Sequence, residues 1–278
     1  MSHAQLYTDL QSSESSGQAV PRPSPPDDLP PSIRKFGTIP CDICFPHKDG
    51  SLDRLLNVGR SEWDALNSKG VPRDFVQFVV TNDDIRTQLL CLDKGSVILK
   101  AAVRKRKTNT RLEGGGAATV VGAAAGCEAH IDVKQAAKLA LPNGASSYDF
   151  RATGRMYRYA KKNSRKLLKF AEELGYEIGN EGLLVVTGVT KASAWSITVT
   201  DNSAGGGTVS LELNAAQLGG VGVLHAWDKE NSSSLTYSGP PPGEDSWENQ
   251  TIFVRGFRIV PSPLGPLGAP KVLALGTK

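Results

Sequence analysis

The stretch that decides the fold runs from Asn180 to Ala215: NEGLLVVTGVTKASAWSITVTDNSAGGGTVSLELNA. Trp195, Ile197 and Val199 alternate with Ser196, Thr198 and Thr200. Val209, Leu211 and Leu213 alternate with Ser210 and Glu212. A two-residue period in β-branched and aromatic residues is the signature of strands with one apolar and one polar face. Asp201-Asn202 and the glycines 205–207 supply turn chemistry, so the stretch is expected to fold back on itself as an antiparallel unit.

The text on either side differs in kind. Upstream, residues 149–174 carry Met156, Tyr159, Leu167, Phe170 and Leu174 as a helical stripe ending at Gly175. Further back, RTQLLCLDKGSVILKAAV (86–103) sets two apolar runs around Asp93-Lys94-Gly95, the pattern of a hairpin. AATVVGAAAGCEAHIDVK follows with β-branched Thr119, Val120 and Val121, and favours a strand. Ser51 with Leu52, Leu55 and Leu56 reads as a capped helical turn in a region of short elements. Residues 1–32 are rich in Ser and Pro and are expected to be disordered, with a short helix at the start. Downstream, a polar linker at 231–243 precedes a last strand, TIFVRGFRIV, and a Pro/Gly-punctuated end. The fold class is α+β, a twisted antiparallel sheet with flanking helices.

Charge is distributed unevenly. The net charge is only +4 over 278 residues, but Arg151, Arg155, Arg158, Lys161, Lys162, Arg165, Lys166 and Lys169 fall within 19 residues with no acid among them. A solvated helix face normally mixes signs, so this one is expected to bind an anionic partner. A second run comprises Lys100, Arg104, Lys105, Arg106, Lys107 and Arg111; it also reads as a localisation signal or nucleic-acid patch. Tyr157 and Tyr159 give the nucleic-acid reading a weak aromatic complement.

Sites for chemistry are sparse. His3, His47, His130 and His225 sit in unrelated contexts, and no GxSxG, HExxH or P-loop pattern occurs. No enzymatic activity and no cofactor are expected. Cys41-Asp42-Ile43-Cys44 with His47 looks like half a zinc site, which Cys127 and His130 would have to complete, and ordinary thiols are the expected reading. Four cysteines and an N-terminus without a secretory pattern suggest a reducing, cytoplasmic setting.

The order of these parts resembles the pore-forming domain of gasdermins, in particular the short fungal gasdermin-like proteins of heterokaryon incompatibility and regulated cell death. LLVVTGVTKASAWSITVT with GGGTVSLELN is similar to the family's second membrane-inserting hairpin, and KGSVILKAAV to EAHIDVK to its first. The resemblance implies a pore-forming domain at 33–230, an exposed cleavable linker at 231–243 cut near Leu235 or Tyr237, and a short inhibitory segment at 244–278 docking Phe253, Phe257 and Val272. It implies acidic phospholipids, an activating protease and a homo-oligomer as partners, with the protein cytoplasmic when inactive and at the plasma membrane once activated. The two basic runs would contact lipid. Segments 183–191, 193–201 and 207–215 have about the 9–11 residues a spanning strand needs; Val185, Val189, Trp195, Ile197, Val199, Val209 and Leu211 lie on the inserting strands, with Trp195, Ile197 and Val199 facing lipid and Ser196, Thr198 and Thr200 the lumen. A binding module for nucleic acid or a protein partner is the alternative.

Overall fold

The computed structural model describes residues 2–13, 16–106, 117–120, 130–201, 209–212, 233–240, 247–262 and 268–275. In chain order the elements are α1 (His3–Gln11), β1 (Gln18–Ala19), α2 (Pro31–Arg34), β2 (Asp42–Pro46), β3 (Leu52–Asn57), β4 (Ile85–Leu92), β5 (Ser96–Arg106), β6 (Ala117–Val120), β7 (His130–Leu141), β8 (Ala145–Phe150), α3 (Thr153–Glu173), β9 (Leu183–Ala192), β10 (Trp195–Asp201), β11 (Val209–Glu212), β12 (Ser233–Gly239), β13 (Gln250–Val260) and β14 (Lys271–Ala274). Every strand pairing among them is antiparallel. The architecture is α+β, dominated by two sheets.

The first sheet follows the order β1-β13-β9-β2-β3, with β14 on β13 and the β4–β8 pair on β9. All ten positions of β9 are buried. Its LLVVTGVTKA text is therefore that of a strand covered on both faces. Val185 and Val189, expected on a membrane-inserting strand, lie at this centre with no exposed surface. Placing them in a bilayer would require the core around β9 to come apart.

The second sheet follows β12-β10-β7-β5-β6, with β11 also on β7. Two local readings change here. The hairpin around Asp93-Lys94-Gly95 splits, because β4 pairs with β8 in the first sheet whereas β5 pairs with β7 in the second. β10 and β11 do not fold back on each other. Ser196–Asp201 pairs with Ala140 back to Gln135, and Val209–Glu212 continues along the same strand from Val133 to His130. They form one interrupted strand along β7; residues 202–208, read as a turn, lie outside the described residues. The return strand of this unit is β12, paired with β10 from Trp195↔Gly239 to Asp201↔Ser233.

Two further expectations fail for identifiable reasons. Leu52, Leu55 and Leu56 belong to β3, where a register shift in the β2–β3 ladder sets Leu55 and Leu56 both inward and mimics helical spacing. The N-terminal 32 residues are not a disordered lead-in: α1 buries Leu6, Tyr7 and Gln11, and Ala19 pairs with Phe253.

Candidate functional site: a basic helix and a covered strand sheet

α3 is amphipathic with a clean division. Met156, Ala160, Ser164, Leu167, Leu168, Phe170 and Ala171 are buried. Arg155, Arg158, Lys161, Lys162, Arg165, Lys166 and Lys169 are all exposed, as is Arg151 just before the helix. At 3.6 residues per turn the seven basic positions occupy an arc of about 140° opposite the buried stripe. The helix stops where Gly175 adopts φ 87° and Tyr176 N donates to Ala171 O at 3.0 Å, a left-handed cap that favours glycine.

The cations are not equivalent. Arg155 pairs with Asp84 at 3.1 Å and donates to Val79 O at 3.0 Å; Lys169 lies 3.6 Å from Glu173; Arg165 reaches Gly268 O at 3.4 Å. Arg158, Lys161, Lys162 and Lys166 have no ion-pair partner among the described residues. Beside them, the chain at 76–79 crosses the helix through Tyr159 Oη, which donates to Val76 O at 2.9 Å. It buries Phe78 and leaves Val76 and Val79 each 68% exposed. The surface thus combines unpaired cations with protruding aliphatic side chains.

Tyr157 packs edge-on to Phe257 and Tyr159 edge-on to Phe78, with ring centroids 5.3 Å apart in each pair. Neither is a free stacking platform. In the second basic run, Arg104, Lys105 and Arg106 end β5, where Lys105 pairs with Asp132 and Arg106 with Ile131; Lys107 lies outside the described residues.

The second sheet presents an apolar inner face of Ala137, Leu139, Leu141, Trp195, Ile197 and Val199. Leu6, Tyr7 and Leu10 of α1, with Ile252 and Phe253 of β13, pack on it. Gln11 fastens α1 to this sheet by donating to Ala137 O (2.6 Å) and Ile98 O (3.2 Å), and Lys100 Nζ meets Gln11 O at the helix end (3.1 Å). Of the remaining strand positions expected to insert, Val209 and Leu211 lie on β11.

No protein-family model, curated protein or solved structure matches this chain.

The C-terminal segment is more than a cover. β13 is an interior strand, held between β9 and the β1/β14 pair. Phe253 is buried in its ladder, and Ile252, Val254 and Ile259 have no exposed surface. Arg255 pins the strand through Asp149 Oδ1 (2.6 Å), Val189 O (2.8 Å) and Ser16 O (3.0 Å). Phe257 and Val272 pack against the core that also holds α3. The segment expected to be an accessory is thus both part of the first sheet and in contact with the second sheet's inner face.

The linker reading also changes. Leu235 and Tyr237 are strand residues, paired with Val199 and Ile197. Tyr237 is partly exposed, but its backbone is tied into the ladder, and a protease needs a segment free to extend into its cleft. Residues 241–246, the rest of the linker, lie outside the described residues.

The CxxC segment is structural. Cys41 packs in one core cluster and Cys44 in another, and among the described residues no group of three or more His, Cys, Asp or Glu side chains is placed to hold a metal ion. Burial pushes Cys41 up to about 12 and Cys44 well above the usual thiol range. His47 sits edge-on to Phe45, centroids 5.0 Å apart. Cys127 and His225 lie outside the described residues. Between the cysteines Asp42, fully buried, takes Arg54 Nε at 2.9 Å and Asn57 Nδ2 at 2.7 Å.

The short helix expected at the start is α1, and what sequence reasoning missed is its docking on the second sheet. Ser2 and Gln5 have capping-box spacing, and Ser2 Oγ accepts from Gln5 N at 3.2 Å. Leu6, Tyr7 and Leu10 then follow at helical spacing.

Proposed function

We propose that the protein is an autoinhibited, gasdermin-like pore former that is activated by cleavage between β12 and β13 and then binds acidic phospholipids, oligomerises and permeabilises the plasma membrane, causing regulated cell death. The observation that carries this reading is the second sheet, whose apolar inner face is covered by two chain-terminal pieces, α1 and the start of β13. β5 with 11 residues and β7 with 12 have the length of bilayer-spanning strands. An antiparallel sheet can enter lipid once neighbouring copies close it into a barrel and every backbone amide is paired. β10, with Trp195, Ile197 and Val199 on one face, and its partner β12 would belong to the second inserting unit, each contributing seven residues to the described ladder.

Recruitment falls to α3, whose unpaired cations face outward beside Val76 and Val79. Inhibition falls to β13 and β14. Their loss would remove Ile252 and Phe253 from the second sheet and Phe257 and Val272 from the core holding α3. The reading of the basic faces as nucleic-acid sites has less support, because Tyr157 and Tyr159 are engaged in packing.

Because β13 is interior, the test keeps the full chain. A site-specific protease sequence is placed within 241–246, and the folded protein is cut in the presence of dye-filled phosphatidylserine vesicles. Leakage after cutting, and none before it or from phosphatidylcholine vesicles, is expected. Cleaved protein that sediments with the vesicles without leakage would replace pore formation with a binding role.

A further inference from the structure

Residues 16–24 lie along β13 as a continuous seam. Arg255 Nη1 donates to Ser16 O (3.0 Å), Gln18 and Ala19 pair with Val254 and Phe253, Val20 N donates to Ile252 O (3.0 Å), Thr251 N to Pro23 O (2.8 Å) and Ser24 Oγ to Gln250 Oε1 (2.6 Å). Among the described strands, β13 is the one ladder partner of β1. Gly17 sets the closeness of the seam: its φ is 92°, a conformation that favours glycine, and a Cβ there would collide with Val254 O. The seam is tied in turn to α1. Ser13 and Gly17 exchange both backbone hydrogen bonds, at 3.0 and 2.7 Å, Ala19 N donates to Ser12 Oγ at 2.9 Å, and Thr8 Oγ1 donates to Ala19 O at 3.5 Å. By itself α1 has little to hold it. Its nine residues are fewer than the roughly 12–15 with which an isolated helix becomes even marginally stable in water. Leu6, Tyr7 and Leu10 supply its apolar contacts, and the cluster they join includes Ile252 and Phe253 of β13. Tyr7 Oη is buried there without a hydrogen-bond partner among the described residues, which weakens the docked state.

We infer that the two ends of the chain form a clasp: β13 holds the N-terminal segment along the 16–24 seam, the seam holds α1 over the second sheet, and loss of β13 therefore releases α1 as well. The two covers of the apolar inner face are then one lock rather than two. A helix docked independently would stay on Leu139, Ile197 and Val199 after cleavage and block the strands beneath it, whereas a helix that depends on β13 leaves with the same cut. The gating consequence rests on the pore-forming reading, but the coupling is a property of the folded protein in solution and is measured without membranes.

Hydrogen exchange of the full-length protein, read by mass spectrometry, tests the clasp. Gly17→Ala strains the seam six residues beyond the end of α1 and leaves the contacts of the helix with the sheet in place. Peptides covering 16–24 and those covering 3–11 should both exchange about tenfold faster than in the wild type, while those of α3 and β9 keep their rates. Arg258→Gln, which removes the Gln18 contact at 3.2 Å, is the milder second variant and should speed the same two sets of peptides and no part of α3. In protein cut within 241–246 and taken through rising urea, 3–11 should lose protection no later than 250–260 does. Protection of 3–11 that is unchanged while 16–24 loosens, or that outlasts 250–260 after cutting, overturns the clasp, as does a Gly17→Ala seam that exchanges like the wild type. Vesicle leakage has no part in this readout, so failure of the pore-forming reading would leave the coupling standing.

Discussion

Replacing Arg158, Lys162 and Lys166 by Gln separates recruitment from folding. All three are exposed, and none has an ion-pair partner among the described residues, whereas Arg155 holds Asp84 and Arg165 touches the C-terminal segment. Surface changes of this kind alter stability by roughly 0.5 kcal/mol or less. Each cation near an anionic bilayer contributes about 1 kcal/mol, so removing three weakens association by about 3 kcal/mol, roughly 150-fold. Co-sedimentation of cleaved protein with phosphatidylserine-rich vesicles reads this directly, and added salt should weaken the wild type more than the variant. A triple variant that pellets like the wild type at low salt, with an unchanged unfolding curve, would take α3 out of the lipid contact.

Other consequences concern the first sheet. Burial lowers Lys191 to about 8, while it donates to Phe36 O and lies 5.5 Å from the Tyr148 ring. Its folded-state value lies below its unfolded one, so the unfolded chain binds more protons between about pH 8 and 10.5 and stability rises with pH across that window. Below it the full penalty, about 3 kcal/mol, applies. Lys191→Met removes this penalty but unpairs the Phe36 carbonyl, a loss of about 1–3 kcal/mol, so denaturant unfolding should show a small gain at pH 7 that becomes a loss near pH 10. A pH-independent difference would mean that Lys191 is charged in the fold at no cost. Gly256→Ala places a Cβ 1.9 Å from Val185 O at a φ of 155°, and the required backbone shift should cost at least about 2 kcal/mol in a thermal or denaturant scan. An unchanged midpoint would show that the β9–β13 bulge yields freely.

The elements legible in the sequence were those whose signal is local. α3 begins and ends within a few residues of its text, because amphipathic periodicity and Gly175 both lie inside the segment. The alternation of β10 correctly marks Trp195, Ile197 and Val199 as its buried side. Partnership was not legible, because strands adjacent in sequence go to different sheets: β4 from β5, and β9 from β10. A run such as LLVVTGV carries residues for both faces, and only its neighbours tell an interior strand from an inserting one. The tail was misjudged for a related reason. TIFVRGFRIV reads as a strand, but its central place depends on ladders to β9 and β1, 60 and more residues away. Composition also misled at residues 1–32, where the proline-rich 20s read as disorder although α1 docks on the second sheet and Gln18–Ala19 pairs with β13.

The central claim is that β10 leaves its seat on α1 and β13 and enters lipid. One introduced cysteine at a time at Ile197, Thr198 or Val199, in a chain with all four native cysteines replaced by Ser or Ala, can carry an environment-sensitive dye through cleavage on acidic vesicles. The account predicts that the dye at 197 and 199 becomes accessible to a quencher held in the acyl chains, whereas at 198 it stays accessible to a quencher in water. The same response at all three positions, or no lipid exposure while dye-filled vesicles leak, would contradict it.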